Sequence, residues 1–185
     1  MLVTLINFMA YPAAAHPHVW VTTVTRFIVA KGAVTGIRVE WAFDEFYSSS
    51  LIEDYTDHHD VKFDAKDVAA LKKGAFQRTA GQNYFTFIKV DGKLLTDLIP
   101  SEFNATVVKG IVHYQFLLPL RAPVDPRRHP LTVTYYEESY YVDVTPEAAH
   151  IEGDGSLVCK TTIAEDPNTT IYFGMVKPMM VTLHC

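Results

Sequence analysis

Basic residues and cysteines are scarce in this sequence. Sixteen Lys and Arg face 21 Asp and Glu, a formal net charge of -5. That balance argues against nucleic-acid binding, which draws its affinity from basic surface, and it favours cations mildly. Only Cys159 and Cys185 are present, with no CxxC pair near either. Two readings stay open: a disulfide formed in an oxidising compartment, or two thiolate metal ligands. The missing CxxC spacing favours the disulfide. No nucleophile triad, His-Glu-x-x-His motif or glycine-rich phosphate loop occurs, so the common enzyme signatures are missing and no catalytic residue is assigned. Beyond the amino terminus no apolar run is long enough to form a membrane helix. No internal repeat or inter-domain linker stands out, so one domain is expected after the leader.

The first 15 residues also lack charge altogether. Leu2 to Tyr11 is mostly apolar, and Pro12 precedes Ala13-Ala14-Ala15. An apolar stretch ending in small residues is how a secretory signal ends, and it is too short to span a bilayer. The Lys or Arg that usually opens such a signal is missing, which leaves an upstream start open. Cleavage after Ala15 is expected, giving a periplasmic domain over residues 16–185 with no stable membrane insertion.

Most of that domain reads as strand. Val19 to Val29 and Val34 to Phe43 flank Lys31-Gly32, a two-residue hairpin turn with Ala30 facing Ala33. Continuing this register puts Val24 opposite Val39, Thr22 opposite Trp41 and Trp20 opposite Phe43, all on one face. Asp91-Gly92 joins Tyr84–Val90 to Lys93–Leu95, and Lys109-Gly110 joins Thr106–Val108 to Ile111–Leu118. Leu131 to Val144 reads as one long Tyr-rich strand, after a proline-rich connection from Pro119 to Pro130. Ile171–Val176 and Met180–Leu183 complete the pattern. Residues 46–80 lack it. Ser48 to Glu53 fits a helical turn or two. Asp64 to Gly74 reads as a capped helix, with Asp64 as N-cap, Asp67 at the capping-box position and Gly74 as the stop. The expected fold is mainly β, an antiparallel β-sandwich-like domain with a small helical insertion.

The chemistry concentrates at the expected new terminus, His16-Pro17-His18. In an extended segment two residues apart point the same way. Two imidazoles so placed form a nitrogen pair for zinc, copper or nickel, and the free amine of His16 adds a third nitrogen. Pro17 has no amide proton, which disfavours wrapping a square-planar copper or nickel ion. The hairpin register, extended, sets His18 opposite Glu45 and beside Asp44. Two imidazoles and a carboxylate then suggest a three-ligand site at the end of the hairpin.

A second cluster runs from Asp54 to Asp67. Read as a twelve-residue calcium loop from Thr56, its side-chain positions fall on Thr56, His58, Asp60, Asp64 and Asp67. Thr56 stands where the first Asp belongs, Val61 where the turn Gly belongs, and Asp67 where the longer Glu belongs. Poor calcium affinity follows. His58 and His59 suit a softer ion, and a solvated polar loop is the alternative. The carboxylates of Glu137 and Glu138 belong to strand packing or line a further cation site.

The segments His16-Pro17-His18-Val19-Trp20, Trp41-Ala42-Phe43-Asp44-Glu45, Tyr84-Phe85-Thr86-Phe87 and the stretch near Tyr140-Tyr141 occur in that order. Together they give a chain that resembles the ZevA-type periplasmic zinc-binding proteins of the DUF1007 family. The resemblance runs over nearly the whole chain. It implies a periplasmic zinc-binding component working with an inner-membrane metal transporter of the nickel/cobalt-permease type. It also implies a calcium-loop-like stretch where Thr56 to Asp67 stands, but this chain departs there, so calcium is not carried over.

The expected function is binding of a transition metal, zinc first with nickel, cobalt or copper as alternatives, through His16, His18, Asp44, Glu45, His58, Asp60 and Asp64. Two other readings compete. One is a metal-free β-sandwich interaction module. The other is a copper enzyme using its amino-terminal His, in which His113 or His150 would have to swing towards His16.

Overall fold

The computed structural model describes residues 17–56 and 62–185. Among the described residues ten strands form two five-stranded sheets. β1 (Val19–Ala30) and β2 (Ala33–Phe43) make the first hairpin, followed by helices α1 (Glu45–Tyr55) and α2 (Ala65–Gly74) and by 3-10 turns over Phe76–Phe85. β3 (Thr86–Val90), β4 (Lys93–Leu94), β5 (Ser101–Val108), β6 (Ile111–Val124), β7 (Leu131–Tyr135), β8 (Val142–Gly153), β9 (Lys160–Glu165) and β10 (Met179–His184) complete the chain. One sheet has the order β5-β6-β2-β1-β8, the other β4-β3-β7-β10-β9. All pairings are antiparallel except β1 with β8. The fold is thus mainly β and sandwich-like, as the strand pattern indicates.

The helical region interrupts the strand pattern for local reasons. Asp64 caps α2 by accepting from the N–H groups of Lys66 and Asp67, while Asp67 accepts from the Asp64 N–H, a complete capping box. Leu71 is the fully buried residue of α2. Gly74 lies against Tyr55: a Cβ there would sit 2.5 Å from the Tyr55 hydroxyl. α1 is longer than the sequence suggests, and its buried Ser48 accepts the Val112 N–H of β6 through Oγ at 3.0 Å.

The register of the first hairpin departs from expectation. Ala30 does face Ala33, but the pairing shifts by one residue between Val29 and Ile28. Beyond it Val24 faces Glu40, Thr23 faces Trp41 and Val21 faces Phe43. A bulge adds a residue to one strand and so reverses which face each later residue of its partner occupies. The buried face of β1 is therefore Val21, Thr23, Thr25, Phe27 and Val29. Apolar residues on both faces of β1 hid this. Thr25 is tolerable inside because its Oγ1 hydrogen-bonds to the Tyr135 hydroxyl at 2.7 Å across the core.

Leu131 to Val144 is likewise not one strand. It divides into β7 and β8, which belong to different sheets. The chain turns at Tyr136–Tyr141, where Tyr140 has φ 58°. Much of the proline-rich connection is strand, since β6 continues to Val124. At the far end of the second sheet Cys159 and Cys185 form a disulfide.

The core centres on Trp41, which is 1% exposed. Phe43, Phe76, Phe85, Tyr114 and Phe116 surround it with ring centroids 5.2 to 6.3 Å away. Among the described residues no helix is long and apolar enough to cross a membrane.

Candidate functional site

β1 begins against the loop that joins β7 to β8. The backbone N–H groups of His18 and Val19 both donate to the Tyr141 carbonyl, at 2.9 and 3.2 Å. The His18 and Tyr141 rings stack, with centroids 4.8 Å apart and planes 29° from parallel. On its other side β1 meets the start of α1. The Asp44 N–H donates to the Trp20 carbonyl at 3.0 Å, and Asp44 Oδ2 accepts the Trp20 N–H at 3.0 Å. Asp44 Oδ1 accepts the Tyr47 N–H at 2.8 Å and so caps α1. Glu45 opens the helix and is exposed. Both carboxylates suit the positive end of the helix dipole.

This geometry corrects one expectation. With Trp20 paired to Asp44, the continuation of the ladder sets Val19, not His18, across from Glu45. The bulge in the first hairpin is the cause. His18, Asp44 and Glu45 still share one end of the first sheet. An ionised carboxylate offers about four lone-pair sites; the Trp20 and Tyr47 N–H groups take two of those on Asp44. His16, His58 and Asp60 lie outside the described residues, as do Asp57, His59 and Val61. Asp64 is described, and its carboxylate caps α2. Among the described residues no three His, Cys, Asp or Glu side chains gather as a metal-holding group.

The loop beneath His18 is held by one buried carboxylate. Glu137 is 5% exposed. Its oxygens accept from Ser139 Oγ at 2.6 Å, from the Ser139 and Tyr141 N–H groups at 2.9 Å each, and more distantly from Val142 N–H and Gln82 Nε2. Burial alone pushes the Glu137 carboxyl up; the bonds from Ser139, Tyr141 and Val142 more than offset this and hold it below its ordinary value. It is therefore a structural anion that fixes Tyr141, and through Tyr141 the start of β1. Its sequence neighbours read as strand packing, and no local signal distinguishes an organising Glu from an exposed one.

Three of the other described histidines, His113, His129 and His184, have side-chain partners of their own. His113 Nδ1 lies 3.1 Å from Glu40 Oε1, His129 Nδ1 lies 2.8 Å from Asp91 Oδ2, and His184 Nε2 lies 2.9 Å from Thr162 Oγ1. Glu40 also accepts from Arg26 and Gln115. Burial raises its pKa, but the bonds from Gln115 and His113 and the charge of Arg26 hold it below its ordinary value. His150 pairs with Arg26 in the β1–β8 ladder.

Fold and site define a β-sandwich domain whose first strand follows directly on a histidine, between a helix-capping aspartate and a tyrosine loop. The chain belongs to the DUF1007 family, described as a protein of unknown function, whose model matches residues 1–173. It is similar to an uncharacterized 15.5 kDa protein of Spirochaeta aurantia, 29% identical over 135 residues covering 69% of this chain and 93% of that protein. It is also similar to an uncharacterized protein of Haemophilus influenzae, 24% identical over 143 residues covering 75% of this chain and 66% of that protein.

Proposed function

We propose that this chain is a periplasmic transition-metal-binding protein, with zinc as its first ligand, that works with an inner-membrane metal transporter of the nickel/cobalt-permease type. The observation that supports it is the position of His18. It enters the fold at the end of the sheet where Asp44 and Glu45 begin α1, and its backbone is fixed by the Tyr141 carbonyl. A donor held in place loses less freedom on binding an ion than one on a loose tail. His16, two residues earlier, supplies the second imidazole, and after cleavage its amine supplies a third nitrogen. The Cys159–Cys185 disulfide fits an oxidising compartment and hence a secreted protein.

The reading predicts reversible binding without turnover. Imidazole must be neutral to bind metal, so affinity falls as pH drops through the imidazole range. The test is titration of the correctly processed chain, beginning at His16, with zinc, nickel, cobalt and copper, beside a His16→Ala, His18→Ala double variant. Loss of the tighter site in the double variant supports the proposal. Unchanged affinity rules out the terminal site.

A metal-free interaction module is the competing reading, and one observation favours it. Trp20, Phe46 and Tyr141 are 50%, 80% and 49% exposed, and all three flank the same end of the sheet. Failure of a metal-free preparation to take up zinc would decide for it.

A further inference from the structure

A groove of about 810 Å³ opens beside the His18–Tyr141 stack. It lies between the loop that Glu137 organises and the turn that joins Ile171 to Val176. Backbone bonds tie the two segments together. The Tyr172 N–H donates to the Glu138 carbonyl at 3.2 Å, and Ile171 and Val176 exchange bonds of 2.9 and 3.3 Å.

Two features of the turn gain nothing for folding. Tyr172 and Phe173 have φ of 48° and 57°, in the left-handed region that aromatic residues rarely occupy and where Asn or Gly sits more easily. Phe173 is also 94% exposed, so its ring adds little to the core. A turn built for stability alone would place neither aromatic there. This one turns both residues to the groove, with ring centroids 5.5 Å apart and planes tilted by 54°.

The charge of the groove indicates what enters it. Its described lining includes Glu137 and Glu138 and no Lys, Arg or His. Glu137 is committed to its own loop but remains an anion. Glu138 is exposed, and among the described residues its carboxylate makes no hydrogen bond or ion pair. An open carboxylate beside aromatic faces is complemented by a cation that can stack. Guanidinium fits better than ammonium, because it is planar, lies flat on aromatic rings and matches a carboxylate with its N–H fork. The negative lining counts against an anionic bilayer surface.

We infer that this groove docks a basic segment of a partner protein, with an arginine that stacks on Tyr172 and Phe173 and pairs with Glu138. No metal is needed for this contact, and its test contains a chelator, so the outcome is separate from that of the proposed metal site.

The processed full chain is titrated with the blocked peptide acetyl-Gly-Arg-Gly-amide and followed by amide resonances. Peptides with lysine or citrulline at the centre are the controls, citrulline being the uncharged isostere of arginine. The arginine peptide should move the amides of Glu138, Tyr172 and Gly174 and leave that of Gly32, beyond the far end of β1, in place. Lysine should bind about threefold more weakly and citrulline at least about tenfold. Glu138→Gln should weaken the arginine peptide about tenfold, and Phe173→Ala about two- to fivefold. Both positions are exposed, and parent-like resonances outside the groove show that the variants are folded. No shift at the three amides, lysine or citrulline binding as tightly as arginine, or arginine affinity unaltered in both variants would each overturn the inference. So would a chain that ignores the arginine peptide but cosediments with phosphatidylglycerol vesicles through Phe173, which would assign the turn to a membrane.

Discussion

Replacing Glu137 by Gln should cost the domain about 3 kcal/mol and loosen the start of β1. The carboxylate receives three short hydrogen bonds, from Ser139 Oγ and from the N–H groups of Ser139 and Tyr141. An amide keeps one acceptor oxygen and turns an NH2 group toward donors. With the amide oxygen kept where Ser139 Oγ and the Tyr141 N–H converge, the bond from the Ser139 N–H is lost outright at about 1.5–3 kcal/mol. The two retained bonds each lose about 0.5–1 kcal/mol of charge assistance, and together these losses come to about 3 kcal/mol. The midpoint of thermal unfolding should fall by roughly 6–12 °C for a domain of this size. Urea unfolding followed by near-ultraviolet circular dichroism measures the loss, as a lower midpoint at unchanged slope. The pH dependence supplies a second check. The Glu137 carboxyl titrates below its ordinary 4.5 in the folded protein. Its stabilisation is thus fully present above 4.5 and is lost as pH falls through the folded value. The gap between parent and variant should narrow on acidification below 4.5. A loss under about 0.5 kcal/mol at neutral pH, or a gap that widens in acid, would refute the role given to Glu137.

Other perturbations have equally definite outcomes. Removing the Cys159–Cys185 bridge, separated by 26 residues, with a double Ser variant should cost about 3.5 kcal/mol by the chain-entropy relation; urea midpoints with and without reductant measure it, and the variant should be insensitive to reductant. Gly153 has φ 145°, and a Cβ there would collide with the Val29 backbone carbonyl. Gly153→Ala should therefore separate the ends of β1 and β8 and cost more than about 2 kcal/mol, read by faster amide exchange at Val29 and Asp154; exchange rates at the parent level would contradict the packing. Tyr135→Phe strands the Thr25 hydroxyl in the core and should cost about 1–3 kcal/mol in urea, whereas pairing it with Thr25→Val should recover much of that loss.

The legible parts of the fold were those encoded by local chemistry. Lys31-Gly32, Asp91-Gly92 and Lys109-Gly110 mark their turns because the first residue of each pair and the glycine adopt positive φ. Asp64 and Asp67 announce α2 because the capping box closes within four residues. The bulge at Thr35, opposite Ile28 and Val29, was not legible: both faces of β1 carry apolar or Thr residues, so the pattern fits either register. The break in Leu131–Val144 was hidden because Tyr and Val suit strands on either side of it, and what bends the chain is the buried Glu137. At the candidate site, the nearness of His18 to Asp44 and Glu45 at one end of the sheet is legible from the hairpin, whereas their pairing is not, because the bulge shifts it by one residue. Tyr141 was missed because its contribution is a carbonyl and a ring face, both set by tertiary packing.

The proposed function rests on His16 and His18 together holding a metal ion. X-ray absorption at the zinc edge of the processed, zinc-loaded chain tests it most directly. One ion per chain is expected, with two imidazole nitrogens at about 2.0–2.1 Å, completed by oxygen or amine donors. A zinc spectrum without imidazole scattering, or a chain that retains no stoichiometric zinc, would contradict it.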